Sequence, residues 1–505
     1  MTVYSFNLGI GWASSGVEYA QAYRAMVLRE LKQPAKFVFT DLILYENIET
    51  LAKNIGFHDS EIIWIYQYLT DIKLTPNSYT IQQFELNLRC QQRQTRIEQV
   101  NPQVRRYHFD HEDQFVTVYL KKDSPQLVER AEFVSHGRLI RKDFFTYTRV
   151  MSEYYTPRNN QAYIYLRRFF NQNGSTAYEQ ILDGDQEMFR INNRLLYSKA
   201  EFLKYFLEKL KLTKNDICLL DRSTEIGQII FRHHQPAKLG VVIHAEHFSE
   251  SATDHDNILW NNYYDYQFTN SQAVDFFITA TKKQQQLLTK QFRTYLGRNP
   301  RIYSIPVGGL QQLQQSKTPR RPASLITASR LAAEKHLDYL ISAVVQAKKT
   351  IPELVFDIYG EGGQKNKLEQ MIKLVHAEAY IHLRGHQELT KIYQQYQAYL
   401  SASTSEGFGL TLMEAVGSGL AMIGLNVRYG TQTFILDQQN GHLLDYAPTD
   451  TPAVIVARLA QAIVQLFTQD DLPAFHQSSY QLAKDYLLPQ VEWKWQRLLE
   501  EMTND

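Results

Sequence analysis

The apolar residues of the chain recur with two different periods, and the change between them divides the sequence. In residues 1–73, and again from residue 199 onward, short apolar runs alternate with stretches whose apolar residues recur every three or four positions. The run at residues 3–8 is typical of a strand, whereas residues 17–28 and 42–55 have the spacing of amphipathic helices. Strands that alternate with helices predict an α/β fold with a parallel sheet.

Between residues 74 and 198 the pattern changes to aromatic and β-branched runs separated by polar turns. Turn sequences occur at residues 135–137, 171–174, 183–185 and 192–193. Turns at such intervals predict an antiparallel meander, inserted into the first α/β domain. Because a long meander has open edges that proteins usually cover, we expect a partner protein to bind it. Packing of the meander against the chain's own α/β domains is the alternative.

The α/β pattern resumes after the meander and continues to a long terminal helix at residues 480–502. Residues 306–321 are polar and glycine-containing, which is typical of a linker between two lobes. The predicted division is therefore a first Rossmann-like lobe in two parts, an inserted β domain, a second Rossmann-like lobe and a helix that returns to the first lobe: residues 1–73 and 199–310, 74–198, 311–478, and 479–505.

Composition narrows the function classes. The chain has 505 residues with a net charge of +1, so no overall field favours nucleic acid. Cys90 and Cys218 are the two cysteines, which fits a reducing compartment. The first residues resemble a strand rather than a signal peptide, and no apolar run reaches the length of about 20 residues that spans a bilayer. We expect a cytoplasmic protein, with at most a peripheral contact at the inner face of the cell membrane.

The most informative stretch is residues 401–419, where an apolar strand leads through a glycine loop into a helix. Gly407 and Gly409 let the backbone turn tightly, and the following helix offers its amides and its dipole to an anion. Glu406 and Glu414, eight residues apart, flank this opening. A phosphate would not need carboxylates, so they suit the hydroxyls of a sugar and of a ribose. A nucleotide-sugar site is the prediction; a helix start with an acidic first turn is the alternative.

Other polar residues follow predicted strands, where parallel sheets bind their ligands. Arg330 ends one strand and Lys335 precedes the next helix, so the two could hold a diphosphate. Arg384 and Gly385 end another strand, where the backbone could contact a base. His244 ends a strand near Glu246 and His247; we expect neutral His244 to bind a sugar hydroxyl, with a metal site as the less favoured interpretation.

Together these residues resemble a known family. The string from Ser401 to Gly419 resembles the E-x7-E signature of retaining GT-B glycosyltransferases of family 4. The opening segment at residues 7–24 and the β-rich insertion are similar to the GtfA family, the catalytic subunits of the O-glycosyltransferase of serine-rich-repeat adhesins. The resemblance covers most of the chain and implies a GT-B fold, two Rossmann-like lobes with an antiparallel domain inserted in the first.

The resemblance also implies an activity and its residues. It implies transfer of GlcNAc, or glucose, from a UDP-sugar to Ser/Thr with retention, and a non-catalytic homologue, GtfB, docked through the inserted sheet. The implied catalytic residues are Glu406, Arg330, Lys335 and His244. The implied donor-binding set adds Gly16 with the amides that follow it and the glycine loop: Gly16, Val17, Glu18, Tyr19, Arg384, Gly385, Gly407, Phe408, Gly409 and Glu414.

The expected mechanism uses no metal, because Arg330, Lys335 and the helix amides would stabilise departing UDP. Two D-x-D sequences, at residues 183–185 and 254–256, are interpreted as turns. Retention could proceed by front-face attack or through a covalent intermediate on Glu406, and the sequence leaves both open. Two rival functions remain: a GT-B enzyme that glycosylates a polyol-phosphate wall polymer, and a non-catalytic GT-B subunit that binds and chaperones the adhesin.

Overall fold

The computed structural model describes residues 1–12, 15–93, 95–109, 113–316 and 318–504. The chain forms two compact units, one of residues 1–26 and 33–239, the other of residues 27–32 and 240–505. Contacts therefore group residues 240–310 with the carboxy-terminal part of the chain. The predicted lobe boundary at residues 310 and 311 stays a prediction.

The strands, in chain order, are β1 (Val3–Asn7), β2 (Ala35–Phe39), β3 (Ile62–Trp64), β4 (Thr95–Asn101), β5 (Val104–Phe109), β6 (Gln114–Lys121), β7 (Ser124–Ser135), β8 (Arg138–Phe145), β9 (Arg149–Arg158), β10 (Gln161–Phe170), β11 (Thr176–Asp183), β12 (Gln186–Ile191), β13 (Arg194–Leu196), β14 (Ile217–Leu220), β15 (Lys238–Ile243), β16 (Phe248–Ser249), β17 (Leu259–Trp260), β18 (Phe276–Thr279), β19 (Ile302–Ser304), β20 (Ser324–Ala328), β21 (Val355–Tyr359), β22 (Ile381–Gly385), β23 (Ala398–Ser401), β24 (Ala421–Leu425) and β25 (Gly441–Leu444).

The α-helices, in chain order, are α1 (Gly16–Glu30), α2 (Ile48–Asn54), α3 (Ile65–Tyr68), α4 (Ile81–Leu88), α5 (Lys199–Leu210), α6 (Gly227–His233), α7 (Asp265–Thr269), α8 (Lys282–Leu296), α9 (Leu337–Ala347), α10 (Lys365–Leu374), α11 (Leu410–Gly417), α12 (Gly430–Phe434), α13 (Pro452–Thr468), α14 (Leu472–Ala483) and α15 (Leu488–Asn504).

In the first unit, β14, β1, β2 and β3 lie side by side and parallel, as the alternating pattern predicts. A buried ion pair fixes α1 to this sheet: the guanidinium of Arg24 binds the carboxylate of Asp221 at 2.8 and 2.9 Å. The Asn7 side chain, at the end of β1, donates hydrogen bonds to Glu18 and Gln21 of the same helix. These contacts hold α1, which begins at Gly16, against the sheet.

One predicted helix in this unit is wrong in its extent. The expected helix over residues 42–55 forms only as α2, because the Asn47 side chain accepts a hydrogen bond from the Glu49 amide and caps the helix there. The preceding residues contribute Ile43 to the core without helical backbone. A capping residue within an apolar pattern can therefore start the helix later than the pattern alone predicts.

The inserted domain is a ten-stranded antiparallel sheet in the order β13 to β4, so the predicted meander is confirmed. The four predicted turns fall between consecutive strands. Helix α4 covers part of one face: Ile81 and Phe84 pack with Tyr107 and Val118 in a separate core. At one end of the sheet β13 packs beside α5, whereas within the described residues β4 pairs with β5 alone and its side chains are mostly exposed.

The second unit contains β15, β18 and β19 in parallel and a six-stranded parallel sheet in the order β22-β21-β20-β23-β24-β25. Leu325, Phe356, Leu400 and Ile423 form its core with α9 and α13. Because all six strands of this sheet run the same way, the segments after β20, β21, β22 and β23 meet at one edge.

The predicted terminal helix over residues 480–502 is wrong, since two helices, α14 and α15, replace it with a 3-10 turn between them. Pro489 explains the break, because proline restricts the residue before it and donates no amide hydrogen to a continuing helix. From α15, Glu501 accepts a hydrogen bond from the Tyr303 hydroxyl of β19 at 2.6 Å.

Among the described residues, no single helix has both the length and the apolar character of a membrane span. One bent pair of helices, at residues 452–468 and 472–486, meets the length and composition test.

Candidate active site

The loop between β23 and α11 is the centre of the candidate site. Gly409, at the N-cap position of α11, has a φ of +84° and no side chain with which to cap the helix. The first amides of α11 therefore have no partner within the helix and are open to an anion. Phe408 does not face a ligand: its ring is buried against Phe434 and Tyr486, so its backbone alone could contact a donor.

Residues 428–430 hold this loop in place through backbone hydrogen bonds. The sequence analysis did not identify this segment. The amides of Tyr429 and Gly430 both donate to the carbonyl of Glu406, at 2.7 and 2.8 Å. The Glu406 amide donates in turn to the carbonyl of Arg428. A Cβ on Gly430 would lie 2.0 Å from the Phe408 carbonyl oxygen, so this approach requires glycine. The backbone of Glu406 is thereby fixed on both sides.

The Glu406 side chain forms an ion pair with Lys335. The Lys335 ammonium lies 2.7 Å from the Glu406 carboxylate and 3.4 Å from the Ser403 hydroxyl. The side chains are 17% and 20% exposed, so water screens the pair only in part. The pair places one positive and one negative group beside the open end of α11.

Arg330 lies after β20 on a loop braced by a glycine turn. The Ser329 amide donates to the Tyr359 carbonyl, and the Leu331 amide donates to the Glu361 carbonyl. A Cβ on Gly360 would lie 1.9 Å from the Ser329 carbonyl oxygen, so glycine is required for this contact as well. The Arg330 side chain is 80% exposed, and its guanidinium lies 3.2 Å from the Glu334 carboxylate. Arg330 is therefore an exposed cation on a loop held by backbone hydrogen bonds.

Arg384 and Gly385 lie at the end of β22, and a buried carboxylate holds them. Asp357 accepts hydrogen bonds from Arg384 at 3.1 Å and from the Tyr396 hydroxyl, and it lies 2.8 Å from a ring nitrogen of His382. Burial raises the pKa of Asp357, but these hydrogen bonds outweigh it and hold the pKa below its usual value. Asp357 is a carboxylate within the apolar run of β21, and this is the sequence feature from which its role could have been identified.

Glu414 occupies a different environment from Glu406. Burial raises the pKa of its carboxyl from the ordinary 4.5 to about 7, and the nearby Glu388 adds to this rise. The hydrogen bond from the buried Tyr393 hydroxyl, at 3.2 Å, opposes it. Near neutral pH the group therefore exchanges a proton, and it can both donate to and accept from hydroxyls.

His244 follows β15 directly, and Gly407 packs against it. A Cβ on Gly407 would lie 2.9 Å from the His244 carbonyl oxygen, which explains the glycine. The amides of His244 and Ala245 both donate to the Tyr264 hydroxyl at 3.0 Å. The imidazole of His244 is half-buried, so the structure brings His244 and the Glu406 loop together.

His247 is a core residue. It is buried, and its ring nitrogens lie 2.6 Å from Gln291 and 2.9 Å from the Tyr429 hydroxyl. Burial lowers the pKa of His247 to about 4, so it is neutral at physiological pH. Arg428 binds Glu246 and Glu250 at 3.2 and 2.7 Å. These contacts tie the segment after β15 to the segment that clamps Glu406.

The remaining donor residues, Gly16 to Tyr19, begin α1 in the first unit. The Glu18 side chain is buried and accepts hydrogen bonds from the Ser15 amide and from Asn7, so its carboxylate shapes the loop. The Val17 amide donates to the Ser15 hydroxyl, and Tyr19 is 48% exposed. Contact of these residues with a donor stays a prediction.

The D-x-D sequences lie in turns. Asp183 ends β11 before a turn, and the carboxylate of Asp254 accepts the amides of Asp256 and Asn257 at 2.8 Å. In the part of the chain that the structure describes, no three His, Cys, Asp or Glu side chains group as metal ligands.

Known protein families match both the inserted sheet and the part of the chain that contains the candidate site. The model of the GtfA extended beta-sheet domain matches residues 96–193, and that of glycosyl transferases group 1 matches residues 311–465. The GtfA subunit of the UDP-N-acetylglucosamine–peptide N-acetylglucosaminyltransferase of Streptococcus gordonii is 52% identical, over 100% of this chain and 99% of its own. The chain belongs to the GtfA family.

Two solved structures of the GtfA family have the same fold. The pneumococcal O-GlcNAc transferase GtfA, in complex with UDP and GlcNAc, has a TM-score of 0.90 at 48% identity and covers 100% of this chain and 99% of its own. A GtfA/B complex has a TM-score of 0.96 at 52% identity and covers both chains fully. The predicted GT-B fold with an inserted antiparallel sheet is therefore confirmed.

The pKa of Glu414 gives a test of its environment in this GtfA-family chain. The folded chain holds the proton more tightly than the unfolded chain, so the stability gained from protonation is present below about pH 4.5 and lost as the pH rises through about 7. Glu414→Gln removes this dependence. We expect its melting temperature, relative to that of the unsubstituted protein, to increase from about pH 5 to about pH 8. A difference that is constant over this range would contradict the raised pKa.

Proposed function

We propose that this chain transfers GlcNAc from UDP-GlcNAc to Ser and Thr of a serine-rich-repeat adhesin, with retention, as the first step of its O-glycosylation. The observation that carries the proposal is the Lys335–Glu406 pair beside the open end of α11, in a chain whose full-length relatives are named for this activity. The names of these relatives favour GlcNAc over glucose. We also propose that the chain acts in the cytoplasm, with a peripheral contact at the membrane.

The departing UDP gains negative charge, and the site offers fixed positive charge for it. Arg330 is exposed on its braced loop, Lys335 lies beside Glu406, and the first amides of α11 have no partner within the helix. Such preorganised groups stabilise a leaving group without moving during the reaction. We propose that they replace a divalent cation.

For Glu406 we propose contact with sugar hydroxyls and front-face attack by the acceptor hydroxyl. The ammonium of Lys335 at 2.7 Å neutralises the carboxylate, which makes Glu406 a poorer nucleophile than a free carboxylate. A carboxylate held by a cation is, however, a good hydrogen-bond acceptor. His244, beside Gly407, would bind another hydroxyl of the same sugar.

The other donor contacts are proposals of the same kind. Glu414 would bind the ribose hydroxyls, and the backbone at Arg384 and Gly385 would bind the base. In the first lobe, Gly16 and the amides of Val17, Glu18 and Tyr19 would face the phosphates. This assignment uses the proposed division into lobes at residues 1–73 with 199–310 and 311–478, with the segment from residue 479 onward returning to the first lobe.

We propose that a GtfB-like, non-catalytic subunit docks on the inserted sheet. The β4 edge supports this, since β4 pairs with β5 alone within the described residues and exposes Ile97 and Val100 by 50% and 45%. An open strand with exposed apolar side chains is a ready surface for another chain. The solved GtfA/B complex of a relative supports a partner of this type.

Two other functions have weaker support. A polyol-phosphate polymer as acceptor would require a strongly basic groove, whereas the net charge of this chain is +1. A non-catalytic binding subunit would not need Lys335, Glu406 and Arg330 in their present arrangement. Mass spectrometry of a serine-rich peptide incubated with UDP-GlcNAc, the chain and its partner separates the proposed function from both alternatives, since neither alternative modifies the peptide.

Removal of the Lys335 cation tests the proposed chemistry. We expect Lys335→Ala to lower turnover with UDP-GlcNAc and a serine-rich peptide by at least about tenfold, because about 1.4 kcal/mol or more of leaving-group stabilisation is lost. Glu406→Gln and Arg330→Ala should act in the same direction. Lys365→Ala, which breaks a surface pair with Glu361, is the control. Wild-type turnover of Lys335→Ala, with an unchanged melting temperature, would remove the proposed role.

A charge on the β4 edge tests the docking surface. We expect Ile97→Arg to weaken binding of the GtfB-like partner by about tenfold or more, because the guanidinium would have to lose its water in the interface. Leu374→Arg, at a residue that is 80% exposed on α10, is the matched control and should bind normally. Equal affinities of the two variants, measured by calorimetry, would place the interface elsewhere.

A further inference from the structure

A fully buried histidine in the second unit joins two segments of the candidate site. The imidazole of His247 is enclosed by aromatic rings whose centroids lie between 5.2 and 6.2 Å from its own: Phe248, Trp260, Phe268 and Tyr429. A polar ring among aromatic side chains is costly unless its nitrogens are hydrogen-bonded. The hydrogen bonds of this imidazole therefore show which parts of the chain it holds together.

The partners of the two ring nitrogens determine which nitrogen carries the proton. Nε2 lies 2.6 Å from Oε1 of Gln291, an amide oxygen that accepts and cannot donate. Nδ1 lies 2.9 Å from the Tyr429 hydroxyl and 3.4 Å from Nε2 of Gln284, an amide nitrogen that donates and cannot accept. The neutral imidazole therefore donates from Nε2 and accepts at Nδ1, so the Tyr429 hydroxyl donates its proton to Nδ1.

The same partners reach the two loops that carry the proposed sugar-binding residues. The Gln284 side chain also donates to the Ala245 carbonyl at 2.9 Å, directly after His244. The backbone amide of Tyr429 donates to the Glu406 carbonyl at 2.7 Å. The buried imidazole is therefore connected through one side chain to the backbone beside His244, and through another residue to the backbone of Glu406.

The spacing of these two loops matters for binding a sugar. Hydrogen bonds to hydroxyls need donor–acceptor distances of about 2.5–3.0 Å, and a misplacement of about 1 Å can cost about a hundredfold in rate. Arg428 also joins the two segments, through Glu246 and Glu250, but these carboxylate side chains are 40% and 71% exposed. Water screens exposed ion pairs, so the buried hydrogen bonds of His247 constrain the spacing more strongly.

We propose that His247 and Tyr429 form a positioning pair for the sugar of the donor. Both side chains are buried, so they act through the loops that they hold and not by contact with the sugar. The pair sets the spacing between His244 and Glu406, which we propose to bind the sugar hydroxyls. This inference rests on the proposed function, which supplies the donor. Loss of the pair should therefore weaken recognition of the sugar and leave recognition of UDP intact.

Removal of one hydroxyl tests the pair. Tyr429→Phe keeps the ring and the amide that binds Glu406 but removes the donor to Nδ1. With the full chain and its partner, we expect calorimetric affinity for UDP-GlcNAc to fall by at least about threefold and affinity for UDP to stay within about twofold. The turnover number with a serine-rich peptide should fall by at least about tenfold, because the sugar contacts matter most in the transition state.

A tyrosine in the first unit provides the matched control. Tyr178 is as buried as Tyr429, and its hydroxyl donates to the Tyr66 carbonyl. Tyr178→Phe therefore removes a buried hydrogen bond by the same chemical change, at a residue outside the positioning pair. We expect the affinities for UDP and UDP-GlcNAc and the turnover number of this variant to equal those of the unsubstituted chain.

A double substitution tests whether the two residues act through their hydrogen bond. Phenylalanine at position 247 suits the aromatic surroundings but cannot accept the Tyr429 proton. Residues that act as a unit give non-additive effects, so His247→Phe with Tyr429→Phe should lower turnover no more than the larger of the two single losses. Losses that multiply would show that the residues act independently and would overturn the pair.

The Tyr429→Phe variant alone decides the proposal if His247→Phe does not fold. Unchanged UDP-GlcNAc affinity and turnover in Tyr429→Phe would overturn it. Parallel loss of UDP and UDP-GlcNAc affinity would also overturn it, because that result indicates general damage to the fold. The binding measurements need no turnover, whereas transfer by the unsubstituted chain tests the proposed function, so failure of one is distinguishable from failure of the other.

Discussion

The ion pair between Lys335 and Glu406 is the contact on which the account of this chain depends. Each side chain is about one-fifth exposed, so the charges interact in a medium of lower polarity than water. The backbone of Glu406 is fixed independently of the pair, because residues 428–430 hold both its amide and its carbonyl. The Glu406 carboxylate, paired with the Lys335 ammonium, is thus placed beside the amides at the start of α11.

The rest of the second unit serves to hold these groups at one edge of a sheet. Strands β20 to β23 are parallel, so their following segments meet where their carboxyl ends lie. Glycines permit the close contacts: Gly360 against Ser329, Gly407 against His244, and Gly430 against Phe408. Larger residues at these positions would push apart the loops that carry Arg330, His244 and Glu406. The binding geometry therefore depends on close backbone packing as much as on the charged residues.

Much of the fold could be predicted from the sequence, because period and turn chemistry are local properties. The inserted sheet followed from turns such as Asn171 to Gly174, and the parallel strands followed from apolar runs. The errors came from competing local signals, since Asn47 caps α2 late and Pro489 interrupts the last helix. Arg330 was identifiable as a candidate at a strand end, Lys335 before a helix, and Glu406 in a glycine loop between strand and helix. Asp357 and Tyr429 were missed, because their roles depend on contacts with residues distant in sequence.

We propose that charges and dipoles of this chain alone stabilise the departing UDP. The most direct measurement is the rate of UDP release from UDP-GlcNAc with a serine-rich acceptor and the partner subunit, after exhaustive dialysis against a chelator of divalent cations. We expect a rate within about twofold of that in the presence of Mg²⁺ or Mn²⁺. Loss of the reaction on chelation, with recovery when either cation is added back, would contradict it.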